Sequence, residues 1–155
     1  MNTYSYMETD DSRKKGKSAE HLIISELLKN DFDVFVPIVD DGTDLVISNN
    51  EGGLVKIQVK SRNIQGNEGL FFIKDFKPRW NFFIVCHDIN TGDFFCMPSL
   101  KFHENSELER QNGKSVRTLM YKDLKGWCKN GKGMALLKKA LEDPDNQIMD
   151  VLEDD

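Results

Sequence analysis

The sequence lacks most of the features by which membrane proteins and common enzyme classes announce themselves. No apolar run approaches the ~20 residues that a membrane-spanning helix needs, and the opening MNTYSYMETDD has no apolar stretch like a signal peptide's. Cysteine is scarce: Cys86, Cys96 and Cys128 are odd in number and lack metal-ligand spacing. Cys86 and Cys96 fall in the apolar runs NFFIVC and DFFCMP, where a thiol acts as a small hydrophobe. These absences predict no membrane contact, no disulfide framework and a reducing, cytoplasmic setting. His21, His87 and His103 show no ligand spacing, no serine sits in a nucleophile elbow, and no glycine-rich phosphate loop is present. Internal repeats are also missing.

Positive charge is in overall deficit, with a net charge of −5, but the deficit is local. The segment from Glu142 to Asp155 holds seven acids and no base, so the remaining 141 residues carry about +2. Bases gather at Arg13, Lys14, Lys15 and Lys17, at Lys74, Lys77 and Arg79, and between Lys122 and Lys139. Such a body permits a nucleic-acid partner without demanding one.

With 155 residues the chain is one ordinary domain, long enough to bury a core. The expected division is a mobile N-terminal segment at 1–15, a single domain at 16–141 and an acidic tail at 142–155. Ala19, Leu22, Ile23 and Leu27 follow helical spacing and predict a helix over about 17–30. DVFVPIV (Asp33–Val39) reads as a strand, with Pro37 marking an edge or bulge. LFFIK (Leu70–Lys74) reads as a strand; NFFIVCH (Asn81–His87), the most apolar run, as a central one paired with DFFCMP (Asp93–Pro98). From Ser99 onward the pattern looks helical and irregular, with a last helix at Gly133–Asp143 stopped by Pro144. Strands enclosed by helices give an α/β or α+β domain on a mixed sheet.

The most informative segment is TDLVIS (Thr43–Ser48), the turn NNEGG (Asn49–Gly53) and LVKIQVKSR (Leu54–Arg62). Val55, Ile57 and Val59 alternate with Lys56, Gln58 and Lys60, so one set is buried and the other lies on the opposite face. The turn predicts a hairpin that sets Asp44 beside Gln58 and Lys60. A carboxylate, an amide oxygen and an ammonium on one face suit a divalent cation beside a phosphate. Taken singly, each residue is also an ordinary polar member of a wet sheet face or a turn.

The order of these residues resembles the PD-(D/E)xK nuclease superfamily, whose core is an Asp followed by (Asp/Glu)-x-Lys on the next strand. Here it reads Asp44, then Gln58-Val59-Lys60, and the likeness spans roughly Gly16 to Ser99. Gln58 stands where the family usually has an acid, Gly42-Thr43 precedes Asp44, and Asn63–Trp80 lacks the helix usual before the next core strand. The run NFFIVCHDINTGDFFCMP is similar to the paired strands of small homing and junction-resolving nucleases. The resemblance implies a restriction-endonuclease-like α/β core, a mixed sheet of about four to six strands flanked by helices. It implies a Mg²⁺- or Mn²⁺-dependent DNA endonuclease, with Asp44, Gln58, the Val59 carbonyl and Glu20 of the first helix holding the metal. Lys60 would serve the attacking water or the charged transition state. Lys17, Lys56, Arg62, Lys77 and Arg79 are the expected DNA contacts, and a homodimer is a permitted assembly. The alternative is a catalytically weak member of the same fold that binds DNA or a protein partner. Phe71, Phe72, Phe76 and Trp80, interleaved with Lys74, Lys77 and Arg79, suit either base stacking or a half-buried surface.

Overall fold

The structure, a computed structural model, describes residues 10–39, 41–64, 69–124 and 127–143. In chain order its elements are α1 (Asp10–Lys29), β1 (Asp33–Phe35), β2 (Leu45–Ser48), β3 (Leu54–Arg62), β4 (Leu70–Lys74), β5 (Phe82–Asp88) and β6 (Phe94–Pro98), then α2 (Ser99–Asn105), β7 (Glu107–Gln111), β8 (Lys114–Met120), β9 (Cys128–Lys129) and α3 (Gly131–Glu142). A 3-10 turn at Tyr121–Leu124 links β8 to β9.

Six strands form one sheet in the order β1-β2-β3-β5-β6-β9. Its neighbours are antiparallel except β3 and β5, which run parallel with Gln58 opposite Ile84 and Lys60 opposite Cys86. Every residue of β5 is buried, as its apolar run predicts for a strand covered on both faces. The expected strand at Asp33–Val39 shortens to β1, an edge strand. Pro37 has no N–H to donate, and beyond it Ile38 and Val39 stand exposed.

The helices α1 and α3 cover one face, where Ala19, Ile23, Leu27, Ile57, Val59, Val85 and Leu137 form a core. The expected helix exists but starts at Asp10, because Arg13, Lys14, Lys15 and Lys17 are good helix formers and carry it back through Gly16. Residues 10–15 of the expected mobile segment are thus helical, while 1–9 lie outside the described residues. Leu22 leaves the apolar stripe and is 53% exposed, since the contact line follows Ala19, Ile23 and Leu27 at intervals of four. The turn of the β2–β3 hairpin is held by Asn49, whose Oδ1 accepts from Glu51 N and Gly53 N. A Cβ on Gly53 would lie 2.6 Å from the Leu141 carbonyl oxygen, so α3 seats against this turn only because the residue is glycine. Pro144 and the acidic tail beyond it lie outside the described residues; Glu142, assigned to that tail, ends α3.

The other face carries a second sheet, in the order β4-β8-β7, together with α2. Ile64, Phe71, Ile73, Ile84, Met97, Phe102 and Leu119 fill the space between the layers. This corrects the expectation of helix after Ser99: only seven residues there are helical before the β7–β8 hairpin begins. Its turn, Asn112-Gly113, has positive φ at both residues (50° and 78°), the geometry that the Asn-Gly pair favours. The connection from β3 to β5 therefore runs through β4 and not through a helix. No disulfide joins the three cysteines, and no helix among the described residues is long and apolar enough to cross a membrane.

Candidate active site

The β2–β3 register places Leu45 opposite Ile57. The Asp44 N–H donates to the Ile57 carbonyl at 2.9 Å, so Asp44 stays joined to β3 just beyond Leu45, the last paired residue of β2. There β2 ends, in a turn through Gly42 at φ +91°. The main-chain ladder has no further acceptor for the Val59 N–H, and the Asp44 carboxylate takes that place, with Oδ2 accepting at 2.8 Å. A side chain that completes a sheet is fixed in direction by it.

Val55, Ile57 and Val59 enter the core beneath α1 and α3, so Lys56, Gln58 and Lys60 face the layer of the second sheet. Leu45 points to the helical core as well. The structure thus gathers Asp44, Gln58 and Lys60 at one end of the hairpin. Burial pushes the Cys86 thiol well above its ordinary range, Cys96 adds to the shift, and the Lys60 ammonium opposes it.

Beside Gln58 opens a cavity of about 340 Å³. Gln58 and Phe82 contribute from the large sheet, Ile73 to Lys77 and Arg79 from the crossover, Asp41 and Gly42 from the loop before Asp44. Ser99, fully buried, holds the Arg79 backbone from both sides: its Oγ accepts from Arg79 N at 2.9 Å and donates to Arg79 O at 2.8 Å. The Arg79 guanidinium lies 4.5 Å from the centre of the Phe82 ring, and that of Arg62 lies 5.5 Å from Phe72. Asp41 is held below the ordinary carboxylate range by the nearby Thr43 hydroxyl, by the Thr43 N–H at 3.1 Å, and by Lys56 and Arg79. Lys77 and Arg79 thus line the cavity and Lys56 lies near it, while Arg62 packs over Phe72 in the crossover.

Glu20 stands on α1, which packs on the sheet face opposite Gln58 and Lys60, and its carboxylate bonds Lys17 Nζ at 3.0 Å. That ion pair also occupies Lys17. Phe71 is buried in the core, and Phe76 packs edge-on against Phe102 at 5.0 Å; Trp80 alone of the four aromatics is more than half exposed. Sequence reasoning passed over Asp41 and Ser99. The signal for Asp41 was its place three residues before Asp44 in a Gly-containing turn; nothing local marks Ser99.

Asp44, Gln58 and the Val59 carbonyl are all hard oxygen donors, a set that suits a cation of the magnesium type. Among the described residues no three His, Cys, Asp or Glu side chains come together. A cation here would rest on one carboxylate and keep several waters, as magnesium commonly does.

The family described as PD-(D/E)XK endonuclease matches residues 10–97, more than half of the chain. Among solved structures, the chain is similar to Hjc, a Holliday junction resolvase of Archaeoglobus fulgidus, at 14% identity and a TM-score of 0.54, covering 78% of this chain and 96% of that one. It is similar to D212, a nuclease from a fusselovirus, at 13% identity and a TM-score of 0.53, covering 86% and 95%. The bacterial homing endonuclease I-Ssp6803I shares 24% identity over 68% of this chain and 76% of its own, at a TM-score of 0.48. The likeness to Hjc and D212, at these identities, speaks to the fold. Curated proteins offer no match.

Proposed function

The chain belongs to the PD-(D/E)XK endonuclease family, and from that premise we propose that it is a Mg²⁺- or Mn²⁺-dependent endodeoxyribonuclease centred on Asp44, Gln58 and Lys60. Members of the family generally use divalent metal ions, and the oxygen donors on this hairpin fit one. The observation that carries the reading is the bond from the Val59 N–H to Asp44 Oδ2 at 2.8 Å, which holds that carboxylate at the backbone between Gln58 and Lys60.

When bound, a divalent cation would supply hydroxide near neutral pH and offset charge on the phosphate. Asp44 would be its carboxylate ligand, pre-aimed by the Val59 N–H, with the Gln58 amide oxygen and the Val59 carbonyl beside it. Lys60 would orient the attacking water and hold positive charge against the phosphate oxygens. Lys74, Lys77 and Arg79 would bind the DNA backbone beside the cut, and Lys56 and Arg62 would extend that basic surface. Glu20 keeps a supporting role in this reading only by leaving Lys17. Incubation of supercoiled plasmid with Mg²⁺, Mn²⁺ or EDTA tests the reading. Cleavage should need the cation and vanish in Lys60→Ala; metal-independent cleavage, or activity that survives Lys60→Ala, would refute it.

One observation favours a second reading. Gln58 removes a negative charge from the position where the family usually has an acid, and Glu20 on α1 is bonded to Lys17. A chain that binds DNA without cutting it under any cation would fit that weaker site. A homodimer is supported by the exposed apolar residues Phe35, Val36 and Ile38 at the edge of the sheet, and sedimentation velocity tests it.

A further inference from the structure

The cavity beside Gln58 is more than a basic surface. Its volume of about 340 Å³ falls at the small end of the ~300–1,000 Å³ typical of small-molecule sites, too small for a duplex and large enough for one base. Its floor is apolar, built from Ile73, Phe76 and Phe82. Lys74, Lys77 and Arg79 border it, but so do Asp41 and Asp75. Two carboxylates would repel a phosphate seated inside, so the cavity is poorly made for a bare anion. A nucleobase satisfies all three kinds of lining. Its apolar plane can lie against Phe76 and the Arg79 guanidinium, its amino groups can donate to the carboxylates, and the phosphates on either side can meet the lysines.

The walls are held in place before any ligand arrives. Ser99 clamps the backbone of Arg79, and the Asp75 N–H donates to the Ser115 carbonyl at 3.0 Å, tying the opposite rim to β8. Asp75 sits at φ +50°, a conformation such a tie can maintain. Gln58 belongs both to this wall and to the Asp44–Lys60 group, so an occupant would adjoin the phosphate to be cut.

We propose that this cavity receives one unpaired nucleotide of the cleaved strand, so that DNA with an extruded nucleotide is bound in preference to a continuous duplex. The inference rests on the endonuclease reading given above. In a continuous duplex a base must be unpaired and unstacked before it can enter, a cost that a bulged nucleotide largely avoids.

The test is the affinity of full-length protein for two short duplexes, one fully paired and one with a single 2-aminopurine bulge, measured in Ca²⁺ to hold back cleavage. The bulged duplex should bind at least about tenfold tighter, and its 2-aminopurine emission should fall as the base becomes stacked. Arg79→Ala and Lys77→Ala, changes at exposed residues, should each reduce that preference without changing the far-UV circular dichroism. Equal affinity for both duplexes overturns the proposal, as does a preference that neither variant reduces. Cleavage of both duplexes in Mg²⁺, with equal affinity, would overturn the pocket and leave the nuclease reading standing. A retained preference with no cleavage under any cation would support the pocket and overturn the nuclease reading instead.

Discussion

Replacing Asp44 separates two tasks of one carboxylate: the backbone contact it makes in the structure and the metal binding proposed for it. Its Oδ2 accepts the Val59 N–H at 2.8 Å where the β2 main chain has turned away, and Val59 is 7% exposed. Asp44→Ala therefore leaves a buried donor without a partner, at a cost of about 1–3 kcal/mol. For a domain of this size that predicts a fall in Tm of about 2–12 °C. This exceeds the near-neutral effect expected of a polar surface residue. Asp44→Asn keeps an acceptor oxygen in reach of the same N–H and loses only the charge, so it should cost about 1 kcal/mol or less. Both variants lose the carboxylate that would bind the metal, and both should lose Mg²⁺-dependent nicking. Urea unfolding followed by circular dichroism, with plasmid nicking on the same samples, reads the two tasks apart. If Asp44→Ala is as stable as the parent, the carboxylate does not complete the sheet. If Asp44→Asn nicks at the parental rate, the carboxylate is not the metal ligand.

Three further outcomes are expected. Gln58→Glu adds a second carboxylate to the proposed site and should tighten divalent-cation binding by about tenfold, ~1.4 kcal/mol, by calorimetry; unchanged affinity would place the cation elsewhere. His87 is buried with Nδ1 unpartnered, and burial lowers its pKa below the ordinary 6.5, with Asp88 opposing. The unfolded chain takes up that proton first as pH falls. Stability present above pH 6.5 is therefore lost between 6.5 and the folded-state value, and His87→Gln should flatten the slope of the urea midpoint in that window. Removal of the acidic tail should raise DNA affinity at low salt, with a gain that shrinks as salt rises; equal affinities across the series would make the tail a solubility device. The cut belongs after Asp143, because Leu141 is buried and α3 continues to Glu142.

The hairpin was legible because its information is local. Period-two alternation from Leu54 to Arg62 and five turn residues specify both the register and the face of β3. The central strand was legible for the same reason, since a strand covered by a layer on each face needs no polar one. Helix α1 was found but misjudged by Leu22, because spacing alone does not say which of two adjacent rows meets a flat sheet. Glu20 was placed by order along the chain. Order cannot show that α1 lies across the sheet from Gln58, or that Lys17 is within 3.0 Å of its carboxylate.

The second sheet was missed, and with it the shape of the site. Its β7–β8 hairpin carries a strong local signal, Asn112-Gly113 between alternating residues, yet its pairing with β4 joins segments about forty residues apart. No local pattern in LFFIK reveals that its partner is KSVRTLM. The absence of a crossover helix between Asn63 and Trp80 was visible in the sequence, but what replaces it was not. That replacement matters more than the absence. An α-helix laid over β3 and β5 would meet the sheet along a continuous stripe of side chains. A short strand followed by a turn at Asp75–Arg79 covers the sheet only in part, and the gap it leaves is the cavity beside Gln58. The change that makes the chain depart from the family's usual order is thus the same change that gives its site a pocket.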